Sequence, residues 1–213
     1  MNDLKDKVIL ITGAGKGSGH ILAKAFAERG AILAANDISP INVEEIVDHI
    51  NAQGGRSKAY IEDVAKKSGA QHLIKQVEDD LGHIDVLINH AAVEPHIPLL
   101  DMDEWDWRRV MDVNLTGAFL MIQSVGRVMR EQGSGVIINL ITAPDSEVQN
   151  ARADDRREGR SEAAFVASMN GLEGLTHAAA RELNPYGIRV YAVENAGDKI
   201  VEDVFALLQL NSA

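Results

Sequence analysis

At 213 residues, 46% of them apolar and 25% charged, the chain has the proportions of one globular domain, which excludes a disordered, collagenous or coiled-coil description of the whole. The 32 acidic against 21 basic residues leave a net charge of −11, a surface that repels phosphate backbones and anionic lipid, so neither nucleic acid nor membrane is an expected partner. Without cysteine there is no disulfide, thiolate metal site or cysteine nucleophile. The start, MNDLKDK, has no signal-peptide core, and no apolar run approaches the roughly 18 residues of a spanning helix, so the expectation is a cytoplasmic protein.

Hydrophobic periodicity orders the elements. Val8 to Thr12 is a short continuous apolar run, a Gly-rich stretch follows it, and Ile21 to Arg29 has helical spacing that Gly30 stops. The pattern repeats as strand Ile32 to Asn36, helix Asn42 to Asn51, strand Lys58 to Ile61, helix Gly69 to Leu81 and strand Val86 to Asn89. One long helix from about Glu104 to Glu131 precedes strand Val136 to Ile141, and a helix over Ala163 to Leu183 precedes strand Ile188 to Val193. Buried strands alternating with helices specify a parallel sheet covered on both faces. Residues 145–162 break the alternation: four arginines and several acids with almost no apolar residue read as a mobile insertion rather than a phosphate site, because the acids nearly cancel the arginines.

The chemical signal begins at Thr12-Gly13-Ala14-Gly15-Lys16-Gly17-Ser18-Gly19, between the first strand and the first helix. Glycines there let the backbone turn sharply and approach a pyrophosphate, whose charge the free amides and dipole of the following helix attract. Asp37 ends the second strand about 20 residues on, where a carboxylate can take both hydroxyls of an adenosine ribose and would repel a 2′-phosphate, which favours NAD over NADP. The alternative for Asp37 is a cap on the next helix, since Ser39 and Pro40 follow.

With these motifs the chain resembles the short-chain dehydrogenase/reductase family. The TGxxxGxG fingerprint matches at Gly13, Gly17 and Gly19, with Lys16 and Ser18 between. Asp63-Val64 resembles the pair that brackets adenine, Asn89-His90-Ala91-Ala92 the NNAG motif, Val113-Asn114-Leu115-Thr116-Gly117 the VNxxG segment with its catalytic Asn, and Gly187-Ile188-Arg189-Val190 the entrance to the sixth strand. The resemblance covers nearly the whole chain. It implies an α/β fold, a single Rossmann-type doubly wound parallel sheet in the order 3-2-1-4-5-6 with helices on both faces. It also implies a dinucleotide site built from Gly13, Lys16, Gly17, Ser18, Gly19, Asp37, Asp63, Val64, Asn89 and Ala91. The family commonly pairs two long helices between subunits. Trp105 to Met129 and Phe165 to Leu183 are similar to those helices, which implies a homodimer or a mixed oligomer with an active relative.

The chain departs from the family where the chemistry happens. The family pattern YxxSKxGxxGL stands here as Phe165-Val166-Ala167-Ser168-Met169-Asn170-Gly171-Leu172-Glu173-Gly174-Leu175, so Phe165 replaces the proton-transferring Tyr and Met169 the Lys that lowers its pKa and holds the nicotinamide ribose. Neither can carry a proton or a charge. The Ser position falls on Thr142, whose hydroxyl can still polarise a carbonyl, although residues 145–162 lengthen the connection to Phe165 beyond the family's. Past Asn195-Ala196-Gly197 the segment 198–213 already resembles the family's next helix, so the substrate lid and seventh strand are expected to be absent. His90 and His96, with Glu94 between them, flank the exit of the fourth strand and read as locally hydrogen-bonded rather than as a surrogate acid or metal site, and no metal is expected. Retained catalytic positions are thus Asn114 and Thr142. The expected function is NAD(H) binding with little or no dehydrogenase activity, as a sensor or non-catalytic subunit. The alternatives are an NAD-dependent oxidoreductase of a carbonyl or alcohol with a rearranged site, and an assembly protein that has lost the cofactor as well.

Overall fold

A computed structural model describes residues 4–142, 162–195 and 199–209. Six strands, β1 (Val8–Thr12), β2 (Ile32–Asp37), β3 (Arg56–Ile61), β4 (Val86–Asn89), β5 (Gly135–Ile141) and β6 (Ile188–Glu194), form one sheet in the order β3-β2-β1-β4-β5-β6, every pair parallel. This is the Rossmann-type arrangement expected from the motifs. Between the strands run α1 (Gly17–Glu28), α2 (Pro40–Ala52), α3 (Lys67–Leu81), α4 (Glu104–Met111), α5 (Ala118–Gln132) and α6 (Ala163–Leu183), and α7 (Ile200–Gln209) follows β6. Of the segment 145–162, all but Glu162 lies outside the described residues, as do Ala196 and Gly197.

The strands are continuously apolar because both faces are covered, as a parallel sheet requires. On one face Leu22, Ala23 and Phe26 of α1, Val43 and Ile46 of α2, and Val204 and Phe205 of α7 pack on Ile9, Ile11, Leu33 and Ile138. On the other, Leu73 and Val77 of α3, Met121 and Val125 of α5 and Ala179 of α6 pack on Leu10, Leu87 and Ile137. The edge strand β3 instead alternates, with Arg56 exposed and paired with Asp6 at 2.6 Å and Lys58 paired with Asp80 at 2.5 Å, and such charges discourage edge-to-edge pairing.

One helix differs from the expectation. The run expected to be a single helix from Glu104 to Glu131 is interrupted by a π-helical segment, Asp112–Gly117. The extra residue in this wide turn lets the Asn114 side chain point inward, where it is 2% exposed and fully hydrogen-bonded, and apolar periodicity does not register such an insertion.

Phe26 ties α1 to α7: its ring meets Phe205 edge-on with centroids 5.0 Å apart, and the Arg29 guanidinium lies 3.8 Å over the Phe205 ring. Replacing Phe26, which is fully buried, with Ala is expected to cost about 3–5 kcal/mol in urea denaturation. A loss below about 1 kcal/mol would mean that the α1 layer collapses onto the gap.

Candidate functional site

The strand order reverses between β1 and its neighbours β2 and β4, so α1 and α3 leave to opposite faces and a crevice opens at the carboxyl ends of the strands. A cleft of about 830 Å³ occupies it. Its lining includes Gly13, Lys16, Asp37, Asp63, Val64 and Ala91 of the expected dinucleotide residues, and Trp105, Arg108 and Arg109 of α4 form an outer wall.

Thr12 organises the crevice. Its hydroxyl accepts the backbone N–H of His90 at 3.1 Å and of Ala91 at 3.2 Å, fastening the β4 exit to the end of β1. The chain then turns through Gly13 at φ +68°, where a Cβ would stand 2.9 Å from Ala91 Cα, so only glycine fits without displacing that backbone. The His90 imidazole sits beneath this loop with Nδ1 3.0 Å from the Gly13 carbonyl oxygen. Because a carbonyl only accepts, Nδ1 carries the proton and Nε2 keeps its lone pair. The ring has room because residue 19 is glycine: a Cβ there would lie 2.5 Å from Nδ1.

Asp37 is not a helix cap. Ser39 caps α2, accepting from Asn42 N at 3.5 Å with Pro40 at the first helical position, while Asp37 Oδ1 accepts from Ser39 N at 2.9 Å and Oδ2 from Gly15 N at 3.1 Å. The two backbone donors aim the carboxylate across the mouth of the glycine loop. Asp63 accepts from Ala65 N at 3.1 Å and pairs with Lys66 at 3.1 Å, and Val64 is buried beside it.

The remaining expected residues lie deeper or elsewhere. Asn89, Asn114 and Met169 line a second, small cavity of about 10 Å³ with Thr12, Leu140 and Leu172, and Val64, His90, Ala91, Ala92 and Val113 line both it and the cleft. Asn89 donates to Asn139 at 2.8 Å, and Asn139 to Thr176 at 2.8 Å, but Asn89 Oδ1 is buried without a hydrogen bond. Asn114 Oδ1 accepts from Val93 N at 2.8 Å, and its Nδ2 donates to Val93 O and to Ser168 Oγ, both at 3.0 Å. Phe165 and Met169 are 5% and 4% exposed on α6. Gly17, Ser18, Gly19, Thr142 and Phe165 line neither space. Ser18 at the start of α1 donates to Asn195 Oδ1 past the end of β6 at 2.5 Å, and Thr142 stands half-buried at the last described position after β5.

Sequence reasoning missed the roles of Trp105, Arg108, Arg109 and Asn195, and left His90 as a local hydrogen-bonder without a partner. Only His90 carried a signal, as the departure from Asn in an otherwise matching motif.

A single parallel sheet in this order, with a glycine loop and an acidic residue at its switch point, defines a Rossmann-type dinucleotide-binding fold. Residues 7–198 match the family model for short chain dehydrogenase, and the chain belongs to the short-chain dehydrogenase/reductase family. It is 38% identical over 189 residues to a 3-oxoacyl-(acyl-carrier-protein) reductase of Staphylococcus epidermidis, covering 88% of this chain and 73% of that one. Among solved structures, an NAD+-bound xylitol dehydrogenase superposes with a TM-score of 0.79 at 32% identity, over 90% of this chain and 70% of that chain. A metagenomic short-chain oxidoreductase in complex with NADP superposes with a TM-score of 0.82 at 27% identity, over 96% of this chain and 91% of that chain. No helix among the described residues is long and apolar enough to cross a membrane.

Burial lowers the pKa of His90, opposed by its hydrogen bonds to Gly13 and Thr12 and by the charge of Asp37. The unfolded chain therefore binds more protons than the folded one just below the ordinary histidine pKa of about 6.5, and stability falls as pH drops through that window. His90→Asn removes this contribution. Melting curves from pH 7.5 to pH 5 are expected to fall more steeply for the parent chain than for the variant, and parallel curves would contradict a buried neutral imidazole under the loop.

Proposed function

We propose that the chain binds NAD(H) in the cleft at the sheet's switch point and runs little or no hydride transfer, acting through binding or as a non-catalytic subunit. The observation that carries this reading is the contrast on α6 and β2: Asp37 is held by two backbone donors at the mouth of the glycine loop, while the positions of the family's Tyr and Lys are taken by the buried side chains of Phe165 and Met169. Gly13, Lys16, Asp37, Asp63, Val64 and Ala91 would hold the adenosine and pyrophosphate. The dinucleotide, when bound, supplies a hydride donor or acceptor, but the oxygen of a substrate must exchange a proton as the hydride moves. Neither a phenyl ring nor a thioether can do this. General acid–base catalysis contributes about 10²- to 10⁴-fold, so its removal takes turnover below an ordinary assay.

The carboxylate of Asp37 favours NAD over NADP, since a 2′-phosphate would bring like charge against it. Calorimetric titration is expected to show saturable NADH binding, weaker NADPH binding, and a loss of about 10- to 100-fold for NADH on Asp37→Ala, the range of one or two charge-assisted hydrogen bonds. Equal affinity for both cofactors would remove the preference, and no heat with either would leave the fold as a scaffold only. A second reading, an oxidoreductase with a rearranged site, is favoured by the activities named for the relatives and by the retained Asn114 and Thr142. Steady turnover of carbonyl or alcohol substrates, lost on Thr142→Ala or Asn114→Ala, would establish it.

The same reading includes self-association through α5 and α6. A groove of about 270 Å³ runs between them, lined by Phe119, Ile122, Gly126, Leu175, Ala178 and Tyr186 among others, with Phe119 42% and Tyr186 46% exposed. Light scattering is expected to give a dimer that Ala178→Arg converts to monomer, because a long cationic side chain would stand in a contact that already carries Arg127 and Arg130. A monomer or a tetramer of the parent chain would contradict it.

A further inference from the structure

The glycine loop rests on a side chain that can change its charge. The His90 ring lies against all three glycines of the loop's fingerprint: Nδ1 is 3.0 Å from the Gly13 carbonyl oxygen, a Cβ on Gly19 would stand 2.5 Å from Nδ1, and a Cβ on Gly17 would stand 3.7 Å from Nε2. The Nε2 edge thus faces the first residue of α1, where free backbone amides and the helix dipole carry partial positive charge. His90 also lines the cleft beside Gly13 and Lys16, the residues read above as the seat of a pyrophosphate. The charged groups around the ring come from three elements. Asp37 acts on it from the end of β2, Lys16 stands on the loop itself, and His20 of α1 hydrogen-bonds to the Gly15 backbone on the loop's other flank.

In the empty site a proton on Nε2 is disfavoured by burial and by the positive end of α1 with Lys16 beside it, and only Asp37 opposes them with a negative charge. A pyrophosphate seated on the loop brings two negative charges to the same place and reverses the balance. The proton costs no existing hydrogen bond: Nδ1 goes on donating to Gly13 O, and Nε2 alone changes from acceptor to donor. We propose, on the reading of the cleft as a nucleotide site, that binding of a pyrophosphate-bearing nucleotide is linked to uptake of a proton by His90, so that the chain holds its nucleotide more tightly in mildly acidic than in neutral solution. Each event strengthens the other by the same factor. Carboxylates and ammonium groups of side chains ordinarily titrate outside pH 6.0 to 7.5, which leaves histidine to change its charge in that range. The amide of an Asn, the residue that the matching motif has at this place, would support the loop without this response.

The test is calorimetric titration of the intact chain with NAD+, which survives mild acid, at pH 6.0 in MES and in bis-tris, whose different heats of ionisation report the protons exchanged. Net uptake is expected at pH 6.0, with affinity about three- to tenfold higher there than at pH 7.5, the change that a shift of half a unit to one unit in the imidazole's titration can produce. His90→Asn is expected to bind NAD+ with neither the uptake nor the pH dependence. Binding of NAD+ without uptake, or with uptake that persists in His90→Asn, would overturn the inference and leave the dinucleotide reading intact. Uptake that persists in His90→Asn and disappears in His20→Gln would assign the proton to His20 instead. Absence of NAD+ binding at both pH values would overturn the inference and the dinucleotide reading together. The parent chain by itself gives a second measurement, which does not depend on a variant folding. Of its seven histidine imidazoles followed by NMR, one is expected to titrate at higher pH with NAD+ bound than without it. Seven titrations with no upward move on binding would overturn the inference.

Discussion

The crevice depends on one hydroxyl group. Parallel β1 and β4 send their chains to opposite faces, and the two loops leaving the sheet would be free to drift apart or collapse together if nothing joined them. Thr12 Oγ1 accepts two successive backbone N–H groups, of His90 and Ala91, and the His90 ring in turn reaches the Gly13 carbonyl. These bonds set the separation of the loops, and with it the position of every group around the cleft: Gly15 is then placed to bond Asp37, and Asp37 to face the mouth. Buried backbone donors need partners, and here meeting that need also shapes the binding surface.

Strand and helix identities were legible because the central strands β1 and β4 are apolar runs ended by a polar residue, and each helix buries one stripe. The strand order came from motifs rather than periodicity, and the observed register, with Thr12 opposite both Asn36 and Asn89, agrees with it. What was not legible depends on contacts between residues far apart in the chain. Whether Asp37 caps a helix or faces the glycine loop cannot be read from Asp-Ile-Ser-Pro, since both Asp37 and Ser39 can cap. It is settled by Pro40 placing Ser39 at the cap and by an N–H from Gly15 claiming the other carboxylate oxygen. The imidazole of His90 fits only because Gly19 has no Cβ, a relation between two motifs that neither discloses by itself. The π turn escapes for a different reason: one additional residue rotates the stripe after it by about 100°, and the helices on either side of Asp112–Gly117 are short enough that the pattern reads this as one broadened apolar face.

In the proposed reading, the interior beyond Asn89 carries Phe165 and Met169 where the family pattern has Tyr and Lys, within a frame that the fold retains. An ammonium at position 169 would have to be paired or hydrated, and burial without such partners costs several kcal/mol. A thioether needs neither, and Met169 lines a cavity of about 10 Å³ together with Leu140, Leu172, Asn89 and Asn114. Asn89 Oδ1 is left buried without a donor, a cost of about 1–3 kcal/mol that the close packing around it offsets.

Ser168 explains why the frame survives. Its hydroxyl donates to the Phe165 carbonyl at 2.7 Å and accepts from Asn114 at 3.0 Å, so the π segment and α6 are joined by a buried bond that does not involve the side chains of Phe165 or Met169. The network that positions the helix beside the site is therefore separate from the groups that would move a proton. In a fold so divided, the side chains at positions 165 and 169 can change from polar to apolar while the cleft between Asp37 and Val64 keeps its shape. Nucleotide binding can then persist as an activity independent of hydride transfer.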